Sequence, residues 1–316
     1  MADLIGLIFN TDYLFTVLRV MTPILFASLA CLMFYKGGVD AIGTEGMMLL
    51  SALAGVIGGH YTGHFVGGMV VGAACGAFFG MLFVLMTNKL KTNDILAGIS
   101  INTFASGITV FLLYLLAGEK GSSQNLPSPV IPNVHIPILK DIPVLGDILS
   151  GQSLLTYLSF LAVVFCYVFL YKTPIGLRIR AVGKNPGAAS SVGINVLKTR
   201  YLSAGIAGAF AGLGGVFMSM AYISNFTRDM VAGRGFIGMA AEGMGRGNPI
   251  GVFLSSLLFG AVDSLAIRLQ GMNLPTRLVQ AIPYIITIVV ITVYSHIDNL
   301  KKKKAVTGVK NDDTKR

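Results

Sequence analysis

Between Tyr171 and Tyr201 a strongly apolar chain breaks into KTPIGLRIRAVGKNPGAASSVGINVLKTR. Lys172, Arg178, Arg180, Lys184, Lys198 and Arg200 lie in this segment, and no carboxylate does. A charge at bilayer depth costs roughly 2.5–3.5 kcal/mol on the mildest scale, so the segment lies outside lipid. Short loops rich in Lys and Arg stay on the cytoplasmic side, which fixes the threading of everything around them. The Gly-Lys-Asn-Pro-Gly turn and the following Ala-Ala-Ser-Ser-Val predict a capped, short surface helix over Gly183–Val192. Such a helix suits docking a partner; a basic loop resting on anionic membrane lipid is the other reading the residues allow.

Composition agrees with a membrane chain. Hydrophobic residues make up 54% and charged ones 12%, against roughly 25% charged in soluble domains. The 39 glycines fit closely packed membrane helices. A net charge of +10 does not signal nucleic acid, because the cations punctuate apolar runs and form no groove-sized patch. The start, MADLIGLIFNTD, has no basic region typical of a cleaved signal, so targeting is expected to rest on the first span. Cys31, Cys75 and Cys166 all fall in apolar stretches, an odd number that argues against a disulfide framework.

Runs of about 20 apolar residues predict an all-α polytopic bundle of about eight to nine spans. The spans are expected at Tyr13–Tyr35, Val39–Gly59, Phe65–Thr87, Asp94–Ala117, Ser153–Tyr171 and Tyr201–Tyr222. From Gly233 to Leu269 an apolar stretch is broken by Gly243, Gly245, Arg246, Gly247, Asn248 and Pro249, giving a short piece and a full one. A last span is expected at Leu274–Tyr294. One membrane domain thus covers residues 1–300, with a Pro-rich external loop at 118–151, the cationic loop at 172–200 and a polar tail at 301–316. Counting the short piece as a crossing places Lys36, Lys89, Lys91 and Lys301–Lys304 inside. The N-terminus is then outside and the C-terminus cytoplasmic, with Arg228, Arg234, Arg268 and Arg277 a minor outer excess. Gly68, Gly72, Gly76 and Gly80 form one small-residue stripe, and Ala204, Gly208 and Gly212 another, the spacing that lets helix backbones approach.

Polar residues inside spans mark either a path or a packing device. VDAIGTEG places Asp40 and Glu45 at the start of the second span, with Gly43 and Gly46 loosening the helix. Broken helices at membrane depth are tolerated where they line a cavity. Asp40 fits a helix cap as well as a path, and Glu45, lying deeper, fits a path. Asn93 and Asp94 read as caps, whereas Asn102, two turns into the fourth span, is path or interhelical glue. Glu242 and Asp263 complete the intramembrane carboxylates, both assigned to the substrate path.

Several motifs are missing. Gly183-Lys184 is followed by Asn185, so this is no phosphate-binding loop. His60 and His64 lack a third ligand and read as interfacial residues rather than a metal pair. No nucleophile stands beside a base, so the chain is expected to be no enzyme and to hold no cofactor or metal.

The stretch TPIGLRIRAVGKNPGAASSVGINVLKTRYLSAGIAGAFAGLGGVFMS resembles the cytoplasmic loop and following helix of permease subunits of bacterial ABC importers, the branched-chain amino acid, ribose and nucleoside permease group. TNDILAGISIN resembles that group's polar helix start, and GRGFIGMAAEGMGRGNPIGVFLSSLLFGAVDSL its broken C-terminal helix pair. These segments, spread over residues 92–265, lie in matching order. Gly-Arg-Gly-Phe and Asn-Pro-Ile-Gly are most similar to nucleoside and simple-sugar permeases; Glu242 departs from the apolar residue expected there. The resemblance implies a multi-pass subunit of the bacterial cell membrane that imports nucleosides by alternating access. It also implies a second permease chain, a cytoplasmic ABC ATPase that uses the ATP, and an external substrate-binding lipoprotein. Gly183, Asn185, Pro186, Ala188, Ala189 and Val192 would then couple the ATPase to the bundle. A ribose-like sugar permease and a self-sufficient proton-coupled carrier using Glu45, Glu242 and Asp263 are the alternatives.

Overall fold

A computed structural model describes residues 11–135 and 145–270, together with residue 292. Among these the chain is mostly helical. Its helices are α1 (Thr11–Gly37), α2 (Thr44–Thr62), α3 (Phe65–Val84) and α4 (Asp94–Ala117), then the short α5 (Leu145–Leu149) and α6 (Leu154–Lys172). They continue as α7 (Pro174–Lys184), α8 (Pro186–Ser191), α9 (Val196–Phe217), α10 (Arg234–Gly245) and α11 (Pro249–Gln270). Single π-turns extend α3 through Leu85–Lys89 and α9 through Met218–Tyr222. A two-residue ladder, β1 (Asn133–Val134) against β2 (Gln152–Ser153), pins part of the Pro-rich loop. Packing described below concerns Met1–Ser264, the first of two compact units; the second, Leu265–Arg316, contributes the end of α11 and residue 292 to the described residues. The expected last span, Leu274–Tyr294, the outer Arg277 and the Lys301–Lys304 tail lie outside the described residues.

Among the described residues six helices are long and apolar enough to cross a membrane: α1, α3 and α9 with their π-turns, α4, α6 and α11. This establishes a multi-pass bundle. α1 is apolar on every side and sits at the centre, with 89% of its apolar window buried, whereas α4 buries only 22%. The 12 residues of α10 reach about 18 Å, well short of a hydrocarbon core of about 30 Å. α2 has 19 residues but carries Thr44 and Glu45 at one end and His60 at the other.

The two small-residue stripes face each other. A Cβ on Gly76 would overlap the Gly208 carbonyl oxygen, and one on Gly80 the Ala204 carbonyl oxygen. From the other side, a Cβ on Gly212 would stand 2.6 Å from the Gly72 oxygen. α3 and α9 therefore meet backbone to backbone, an approach only small residues permit. The π-turn ending α9 releases carbonyls that Arg19 of α1 collects, its Nη2 donating to Tyr222 O at 3.0 Å with the guanidinium over the Tyr222 ring.

Two expectations need correction. The second span starts at Thr44 rather than Val39, because the intervening backbone bonds to α4: the Asp40 amide donates to Asp94 Oδ2 at 3.2 Å. Asp40 is therefore exposed ahead of the helix and does not cap it. The cationic loop holds two helices rather than one. Thr173 caps α7 by accepting from the Gly176 amide, Asn185 caps α8 by accepting from Ala188, and Asn195 starts α9 by accepting from Lys198.

Candidate translocation site

The starts of two helices, α2 and α10, meet the unbroken α4 about halfway through the bundle. α2 begins inside it, after the non-helical segment 38–43, and its first turn needs acceptors. Asn102, two turns into α4, supplies one: its Oδ1 accepts from the Gly46 amide at 2.8 Å. Its Nδ2 donates to the Ile42 carbonyl at 3.0 Å, so one side chain closes both edges of the break. A Cβ on Gly46 would lie 2.8 Å from the Asn102 Cα, which is why α2 and α4 can approach so closely there.

α10 also begins inside the bundle, and Gly233 at its N-cap has no side chain to offer. Glu45, from the first turn of α2, takes that role. Its Oε1 accepts from the Gly233 amide and its Oε2 from the Gly235 amide, each at 2.7 Å. A carboxylate on orphan amides at a helix N-terminus is favoured by hydrogen bonding and by the helix dipole together. Arg234 turns the other way and pairs with Asp263 of α11, Nη2 to Oδ2 3.6 Å, both side chains mostly buried. Glu242, further along α10, is buried at 8% exposure, and the charges acting on it are those of Lys36 and Asp40. Asp40 and Lys36 border a separate hollow with Arg180 and Lys184 near the ends of α1 and α7. The five expected path residues thus fall into a node (Glu45, Asn102), a flanking ion pair (Asp263) and a group around Lys36 (Glu242, Asp40).

The residues expected to couple an ATPase are also sorted by the structure. Ala188 is exposed and Val192 is 75% exposed, whereas Ala189 is buried at 4%. Asn185 and Pro186 form the cap and first residue of α8. Gly183 packs against the end of α1, where a Cβ would overlap the Lys36 carbonyl. Only Ala188 and Val192 of this group present side chains outward beyond the cap.

Sequence reading missed a polar group at the same depth. Ser106, halfway along α4, donates to Asp229 Oδ1 at 3.2 Å, and Asp229 Oδ2 pairs with Arg228 at 3.3 Å. The signal was faint: Arg228 and Asp229 lie in an irregular segment, with Asp229 itself at φ 52°. At the C-terminal end of α2, His60 Nδ1 meets the Pro127 carbonyl at 2.9 Å.

Residues 13–291 match the family described as the branched-chain amino acid transport system / permease component. The nucleoside ABC transporter permease protein NupC of Lactococcus lactis is 35% identical over 284 residues, covering 86% of this chain and 89% of the relative. The guanosine ABC transporter permease protein NupQ of Bacillus subtilis is 33% identical over 301 residues, covering 91% and 93%. A putative glucose ABC transporter permease protein, TsgC13 of Haloferax volcanii, is 29% identical over 270 residues, covering 84% and 80%. No solved structure matches.

Proposed function

Because this chain belongs to the branched-chain amino acid transport system permease family, we propose that it is the membrane subunit of an ATP-driven nucleoside importer. Similarity to a nucleoside and a guanosine permease over most of the chain carries the substrate class. In the chain itself, the observation that carries coupling is α8: a short, side-chain-capped helix presenting Ala188 and Val192 outward from a cationic loop. Partner subunits are a second permease chain, as the paired NupB and NupC names of Lactococcus suggest, a cytoplasmic ABC ATPase and an external binding lipoprotein.

The solute passes beside the half-depth node, so that Glu45, Asn102 and Glu242 border its path. Asp40 stands at the cytoplasmic end, and Asp263 holds Arg234 alongside. The bundle makes eight to nine crossings when α2, the half-helix α10 and the final apolar segment are counted, with the N-terminus outside and the C-terminus in the cytoplasm. A self-sufficient proton carrier is disfavoured, since Glu45 and Asp263 are committed to internal partners. A sugar-importing reading draws support from the Haloferax relative.

Co-purification of the chain with its ATPase and binding protein, followed by uptake of labelled guanosine and of labelled glucose into vesicles, tests the proposal. ATP-dependent guanosine uptake is the expected result; uptake of glucose alone would transfer the chain to the sugar reading. Orientation is read by thiol labelling, with Ser128→Cys reacting from outside and Ser190→Cys only after the membrane is opened.

A further inference from the structure

The exposed Asp229 carboxylate reaches Ser106, halfway along a membrane-spanning helix, and pairs with Arg228. The Arg228 backbone amide is tied to the Gly121 carbonyl in the loop after α4 at 3.0 Å. The Arg228 and Asp229 side chains are 62% and 55% exposed. A charge open to lipid at the depth of Ser106 costs roughly 2.5–3.5 kcal/mol, so the surface beside them faces water or another polar body. The face of α4 next to them is shaped to receive something. Ser100, Thr103 and Gly107 run along its centre, one or two turns apart, and Phe104 and Phe111 flank them at 51% and 59% exposure. With Ile99 and Ile108 they line a shallow, open hollow of about 520 Å³ on the helix surface. A Cβ on Gly107 would meet nothing within 4 Å, so the floor of the hollow is open at that point.

The edges of this face differ in chemistry. On the helical wheel Ser106 and its bound Asp229 stand at one shoulder, and Phe104 stands at the other, about 160° away at 100° per residue. The Asp229 carboxylate spends one oxygen contact on Ser106 and one on Arg228, and an ionised carboxylate has about four acceptor positions. Acceptors therefore remain for two hydroxyl donors. The aromatic shoulder suits a flat ring, because stacking on Phe does not depend on which base is presented.

We propose that the outward face of α4, with Arg228–Asp229, is the wall of the translocation path that touches the solute, taking a vicinal diol at Asp229 and a flat heterocycle at Phe104 and Phe111. This rests on the nucleoside reading above and assigns its contacts to residues other than Glu45 and Asn102, which hold the broken helices behind the wall. A neutral ion pair offers donors and acceptors without a net charge, which fits an uncharged solute.

The test uses the assembled complex with its binding protein. Asp229→Asn is expected to lower delivery of a ribonucleoside per assembled complex about tenfold, the size of one charge-assisted hydrogen bond. The same variant should also shrink the preference for a ribonucleoside over its 2′,3′-dideoxy analogue. Capture by the separate binding protein is measured alongside and stays constant, so the altered preference belongs to this chain. In a background of Cys31→Ala, Cys75→Ala and Cys166→Ala, Gly107→Cys should react with a hydrophilic thiol reagent and be protected by nucleoside with binding protein. Reaction with a membrane-soluble maleimide alone would show a lipid-facing surface and overturn the proposal. So would no reaction at all together with loss of the second permease from Gly107→Leu complexes, which marks a packing surface. Unchanged delivery and preference in Asp229→Asn overturns the diol contact. If the parent complex moves no nucleoside, the importer reading fails by itself, while the thiol reactivity still decides whether this face is wet.

Discussion

The α3–α9 seam and the node at Glu45 and Asn102 lie in one bundle yet are held together by opposite means. At the seam, glycine carbonyls on one helix touch glycine backbone on the other, over several turns. Every atom there is covalently fixed to the main chain, so the contact has one arrangement and no side chain that can swing away. At the node, α2, α4 and α10 are joined by four hydrogen bonds from two side chains. Such bonds can be broken and remade within the rotamers of Glu45 and Asn102. A transporter needs both: a rigid frame, and a place where packed elements have a second arrangement.

The largest expected effect breaks the seam. Gly76→Leu drives a branched side chain into the Gly208 carbonyl and should cost more than about 3 kcal/mol, the upper range of overpacking. Detergent-extracted protein, assayed by size exclusion, should lose its monodisperse peak. A normal peak would mean the two helices slide apart at little cost. Glu45→Ala comes next. It strips two amides of α10 of a charged acceptor, about 0.6–1.7 kcal/mol each by membrane double-mutant cycles. The purified chain should melt several degrees lower and uptake per complex should fall, with Glu45→Gln intermediate in both. Full recovery by Glu45→Gln would show that charge plays no part at the cap.

Asn102→Ala should be milder, because a neutral amide is lost and the close approach at Gly46 remains. Its melting point should lie between those of the parent and of Glu45→Ala. The smallest stability effect belongs to Ala188→Asp on exposed α8, within about 0.5 kcal/mol of the parent. Substrate-stimulated ATP hydrolysis by the complex should nevertheless collapse, since a carboxylate enters a docking surface where desolvation is costly. Unimpaired stimulation would return α8 to the role of a lipid-resting helix. Ala189→Asp is the contrasting control, expected to destabilise because Ala189 is buried.

What could be read beforehand follows the range of the interactions. The seam was visible because Gly68 to Gly80 and Ala204 to Gly212 repeat every four residues, and local period is a property of the sequence itself. α4 was placed to the residue, since Asn93 accepts from the Ile95 amide and announces its start. The loosened start of α2 was legible from Gly43 and Gly46, but the shift from Val39 to Thr44 was not. It depends on Asp94 and Asn102, more than 50 residues away in sequence. Glu45 was singled out for its depth, yet its partners Gly233 and Gly235 are separated from it by 188 and 190 positions. No local pattern joins them. α7 escaped notice because its cations mask a buried side made of Gly176, Ile179 and Val182.

α10 is tied at both ends and is too short to span the membrane by itself. Beyond its C-terminal end the Gly247 carbonyl accepts from the Tyr171 hydroxyl at 3.3 Å, and that ring lies under the Arg180 guanidinium of α7 at 4.8 Å. At its start, Glu45 grips Gly233 and Gly235. A stiff rod of about 18 Å, jointed by side chains at each end, is a strut: it carries thrust along its axis and leaves its tilt free. Displacement of α7 would therefore reach the half-depth break as a push on Glu45, without any change in the length or internal bonding of α10.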